Sequence, residues 1–162
     1  MAPRQSYSKS ANLYEPCVEC QKKRTLCVRV RRAHNLGHAA LSVHEPLAAG
    51  GEKVTTYGFW PAQAGKPRWD TNVRKNDPGD VYSNTQDWDP KDVQCKEIDE
   101  KQEEKLKAAV NKNAQYNLLS GDWCSTWAAG TYNGVTGSNL GGFLPSSLGN
   151  SINPPPELGP MP

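Results

Sequence analysis

The run Gly37-His38-Ala39-Ala40-Leu41-Ser42-Val43-His44 alternates in character and frames the rest of the chain. His38, Ala40, Ser42 and His44 fall on one side of an extended segment and Ala39, Leu41 and Val43 on the other, the pattern of a half-buried strand. Small residues beside His38 leave open space next to its ring, as a general base requires. A hydrogen-bonded core histidine meets the same description. Upstream, Arg24 to Arg31 (RTLCVRVR) also alternates, with Leu26, Val28 and Val30 opposed to Cys27, Arg29 and Arg31, which predicts a strand. Downstream, Pro46 and Gly50-Gly51 break the chain into a hairpin connection. Lys53 to Trp60 (KVTTYGFW), rich in β-branched and aromatic residues, reads as a third strand stopped by Pro61.

Beyond Pro61 the pattern changes. Ala62 to Pro90 reads as a long loop punctuated by Gly65, Pro67, Pro78 and Gly79, with Trp60, Trp69 and Trp88 in or beside it. Insertion near a binding site is a common reason for such a loop. Asp89 to Asn113 reads as a helix, with Asp89 as N-cap, Pro90 at the first position, acids early and lysines late. A second helix is expected from Asp122 or Trp123 to about Tyr132, and a short one at Ser146 to Asn150. Residues 1 to 23 read as an irregular lead-in and 153 to 162 (NPPPELGPMP) as a proline-rich tail, leaving 24 to 152 as the domain.

Composition narrows the function classes. The chain has 162 residues, 36% hydrophobic and 22% charged, enough for one core. Nineteen Lys and Arg against 17 Asp and Glu give a formal charge of +2, so no whole-surface field favours nucleic acid. The cations at Lys22, Lys23, Arg24, Arg29, Arg31 and Arg32 read as a solvated strand edge. No window approaches the roughly 20 apolar residues of a membrane span. Met1 to Ser10 carries no apolar secretory core, so the expectation is synthesis in the cytoplasm and export by a signal-independent route. Five cysteines, Cys17, Cys20, Cys27, Cys95 and Cys124, fit two disulfides plus a working thiol, a zinc cluster plus a thiol, or five reduced side chains. Cys17-x-x-Cys20 with Cys27, His34 and Cys95 supplies zinc-ligand chemistry but no second closely spaced pair. We expect neither metal nor cofactor.

Cys124 has the most favourable setting for nucleophilic chemistry. It follows the helix-start signal Ser120-Gly121-Asp122-Trp123 and precedes the apolar Trp127-Ala128-Ala129. A helix N-terminus and a nearby imidazole both stabilise a thiolate, and the adjoining N–H groups face a developing oxyanion. A buried, inert cysteine is the competing description.

The order Gly37-His38-Ala39-Ala40-Leu41-Ser42-Val43, then Tyr57-Gly58-Phe59-Trp60-Pro61, then Tyr116-Asn117-Leu118-Leu119 and Trp123-Cys124-Ser125 resembles the circularly permuted papain-like cysteine hydrolases, the NlpC-type superfamily branch that includes the lecithin retinol acyltransferases. The resemblance implies an α+β, permuted papain-like fold, an antiparallel sheet packed against helices with the catalytic cysteine at a helix N-terminus. It implies Cys124 as nucleophile and His38 as base. The third, imidazole-orienting residue falls on Val54-Thr55-Thr56-Tyr57, where this chain has no acid, amide or histidine. Thr56 is the first choice, with Thr55 and His44 as alternatives. Trp123, Tyr116 and Trp60 are the expected substrate-binding residues. The implied activity is an amidase or endopeptidase on peptidoglycan stem peptides, delivered as a type VI secretion effector, with a cognate immunity protein as partner. An acyltransferase or thioesterase on the same scaffold, and a zinc-dependent binding module without catalysis, are the other function classes.

Overall fold

A computed structural model describes residues 23–32, 37–63, 66–67, 77–83, 90–112, 114–116 and 123–155. Its strands are β1 (Arg24–Arg31), β2 (His38–Pro46), β3 (Glu52–Gln63), β4 (Lys66–Pro67), β5 (Asp77–Ser83), β6 (Asp92–Ile98) and β7 (Ala114–Tyr116), and its helices α1 (Glu100–Val110), α2 (Cys124–Thr136) and α3 (Pro145–Ile152). The class is α+β. One antiparallel sheet runs in the order β6-β1-β2-β3-β5-β7, with β4 added to β3.

Register explains which residues share a face. Opposite β1, Cys27 meets Ser42 and Arg29 meets Ala40; opposite β3, Ser42 meets Thr56 and Leu41 meets Tyr57. One face therefore carries Leu26, Val28, Val30, Ala39 and Leu41, which pack with Leu106, Ala128, Ala129, Tyr132, Val135 and Leu148 from the three helices. The other carries Cys27, Ala40, Ser42 and Thr56. The β2–β3 connection closes through Leu47 and Gly51, with Gly50 and Gly51 at φ of 90° and 79°, a backbone region that glycine enters without a steric penalty.

Three expectations are corrected. Residues 92–98 form a strand, so the helix expected over 89–113 begins only at Glu100. Antiparallel pairing with the whole length of β1 captures this segment, and Asp99 with Gln102 closes a reciprocal capping box at the true helix start. The expected loop from Ala62 contains β4 and β5. Pro61 does not end the third strand: past Tyr57, β3 has lost β2 as a neighbour and pairs with β5, and a strand with one open edge accommodates a residue lacking an N–H.

Helix α3 is held by charge as well as by Leu148. Arg32 donates to both oxygens of Asp92 (2.5 and 3.1 Å) and to the Asn150 side chain, and Asn153 Nδ2 donates back to Asp92. A Cβ on Gly149 would sit 2.6 Å from Asp92 Oδ2, so only glycine lets the helix approach this cluster.

Candidate active site

Helix α2 positions the cysteine. Trp123 is its extended N-cap, and Cys124 is its first residue, buried at 4% exposure. Thr126 closes the first turn, accepting from the Trp123 N–H at 3.0 Å and donating to the Trp123 carbonyl. The Trp123 ring packs against Phe59 of β3, and Phe143 meets it edge-on at 5.0 Å. Its indole N–H is buried and finds no acceptor among the described residues.

Strands β2 and β3 position the histidine. His38 opens β2 at 7% exposure and stacks on Trp60, ring centroids 3.9 Å apart and planes 20° from parallel. Consecutive residues of β3 thus serve the two halves: Trp60 holds the imidazole on one face of the sheet, and Phe59 holds the N-terminus of α2 on the other. Both halves lie at the same end of the sheet. Alternation places the His38 side chain with Ala40 and Ser42, on the face opposite α2. Residues 33–36 and 117–122, which precede the two in the chain, lie outside the described residues.

The expected orienting residues fall elsewhere. Thr56 sits opposite Ser42, four residues along β3 from Trp60, so about 13 Å separates it from the residue that touches His38. Thr55 pairs with Val43 on the helix-covered face. His44 is occupied, with Nε2 3.1 Å from Ser42 Oγ and Nδ1 3.1 Å from Glu52. Tyr116 lies in β7, three strands from β2 and paired with Asp77. Of the expected substrate-binding residues, Trp60 contacts His38 and Trp123 adjoins Cys124. The stacking role of Trp60 was not legible because sequence supplies the alternation of two strands but not their register.

The remaining cysteines also change the chemistry available. Cys27 and Cys95 form a disulfide between β1 and β6, which removes two of the residues that the alternative zinc reading draws on. Cys17, Cys20 and His34 lie outside the described residues, and among those described no group of three His, Cys, Asp or Glu side chains converges on a metal position. The cations expected on a strand edge instead belong to or flank β1, an interior strand between β6 and β2, and three of them are paired: Lys23 with Glu97, Arg24 with Glu45 and Glu103, Arg32 with Asp92. No described helix is long and apolar enough to cross a membrane. No family model, curated protein or solved structure matches the chain.

Proposed function

We propose that this protein is a cysteine hydrolase working by Cys–His acyl transfer on bacterial cell-wall peptides. The observation that carries this reading is the buried Cys124 opening α2 at the end of the sheet where β2 opens with His38, the two bridged by Phe59 and Trp60 of β3. His38 is the first residue of its strand, so acyl transfer requires its imidazole to reach the thiol around the open end of β2, not through the sheet. Cys124 Sγ gives up its proton to the imidazole and attacks the carbonyl carbon, forming a tetrahedral oxyanion that the first N–H groups of α2 stabilise. The imidazolium returns the proton to the leaving amine as the C–N bond breaks. Water then releases the thioester, with His38 as base.

The Cys27–Cys95 disulfide supports action in an oxidising compartment such as a periplasm. Injection into a competing cell and protection of the producer by an immunity protein complete the reading. Incubation with purified peptidoglycan, followed by mass spectrometry, tests it. New stem-peptide termini with the wild type and none with Cys124→Ala are expected. An unchanged profile alongside release of acyl groups from lipid or protein thioesters would make it an acyltransferase or thioesterase instead.

A further inference from the structure

Residues 137–144, which join α2 to α3, are fastened at successive points. Both polar atoms of the Asn133 side chain bond to Leu140, Nδ2 donating to its carbonyl at 2.8 Å and Oδ1 accepting from its N–H at 2.9 Å. The Gly141 N–H donates to Ser151 Oγ, and the Leu144 N–H to Ser147 Oγ. Gly142 lies so close to α3 that a Cβ there would sit 2.3 Å from the Leu148 nitrogen, and its φ of 150° is one that residues with side chains disfavour. Ser125, fully buried, donates from Oγ to the Phe143 carbonyl at 2.7 Å. Yet the Phe143 side chain is 50% exposed, while Leu144 beside it packs against the Phe59 and Trp123 cluster. A loop held this firmly that still shows a large apolar ring to solvent is built for contact.

The position of the ring assigns what it contacts. Phe143 touches both neighbours of Cys124: its ring meets Trp123 edge-on at 5.0 Å, and its carbonyl is held by Ser125. The inference rests on the hydrolase reading, in which the leaving amine turns toward His38. That side chain stands on the face of the sheet opposite α2. The acyl part of the substrate then extends on the α2 side, where Phe143 stands.

We propose that Phe143, with Trp123 behind it, forms the apolar wall of the subsite for the side chain on the carbonyl side of the scissile bond. The protein therefore selects an apolar residue there over a polar one of the same size, because a polar group pressed on the ring loses water and gains no partner.

The test alkylates the full-length, disulfide-intact protein with two blocked dipeptidyl chloromethyl ketones, acetyl-Ala-Leu and the nearly isosteric acetyl-Ala-Asn, read at the Cys124 peptide by mass spectrometry. The thiolate displaces chloride, and the second side chain takes the place beside the carbonyl. Each rate is divided by the iodoacetamide rate of the same variant, which removes any change in the thiol itself. The leucine reagent should react at least about tenfold faster than the asparagine one in the wild type and in Phe143→Leu, with the ratio falling below about threefold in Phe143→Ser. Equal rates in the wild type, or a preference undiminished in Phe143→Ser, overturn the proposal and leave the hydrolase reading standing. Failure of both reagents to label Cys124 overturns the two together.

Discussion

Trp60 and Thr56 separate two ways of holding an imidazole. A threonine hydroxyl would orient His38 by a hydrogen bond, but it lies opposite Ser42; the indole of Trp60 orients the ring by stacking on it. Trp60→Leu should therefore lower kcat by about tenfold or more with a smaller change in KM, since misplacing a catalytic group acts on the transition state. Thr56→Val should stay within about threefold of wild type, a change small on the scale of general-base catalysis. Steady-state kinetics on the peptide products of the cell-wall digestion decides between them. At this scale the sequence was informative about faces and silent about partners. Alternation in GHAALSVH put His38, Ala40, Ser42 and His44 together, as observed, but which residue of β3 lies beside each depends on a register set by the Gly50-Gly51 turn.

At the scale of elements, β1, β2 and α2 were legible because each has a strong local signal: strict alternation in the first two, a start signal at Gly121-Asp122-Trp123 for the third. Residues 89–113 were not, because Asp89-Pro90 imitates a helix start as well as Asp99-x-x-Gln102 does, and only pairing with β1 decides which operates. The joins of α1 to β1, through Glu103 and Arg24, and of α3 to β6, through Arg32 and Asp92, carry charge and so depend on pH. The hydrogen bond from Arg32 holds the Asp92 carboxyl below the usual carboxylate range, and that from Lys107, with Arg24 nearby, does the same for Glu103. Both folded values lie below the unfolded ones of about 4, so this stability is complete above that pH and is lost as pH falls through the folded values. Urea midpoints measured between neutral pH and pH 3 should fall on the acid side of about pH 4 in the wild type, and less steeply in Asp92→Asn, whose starting midpoint is lower.

On the scale of the whole molecule, the Cys27–Cys95 bond closes a separation of 68 residues that includes all of β2, β3 and β5. Replacing both cysteines by serine should cost about 2–5 kcal/mol, read as a lower urea midpoint equal to that of the reduced wild type. The same fold brings the two chemical halves, 86 positions apart (124 minus 38), to one end of the sheet while leaving their side chains on different faces. Whether the imidazole serves the thiol is decided most directly by the reactivity of Cys124 itself, which requires no knowledge of the substrate. Iodoacetamide alkylation of the Cys124 peptide at neutral pH, followed by mass spectrometry, should slow by about tenfold or more in a folded His38→Ala variant, because only the thiolate reacts. Equal alkylation rates in the two proteins would contradict the Cys–His pair.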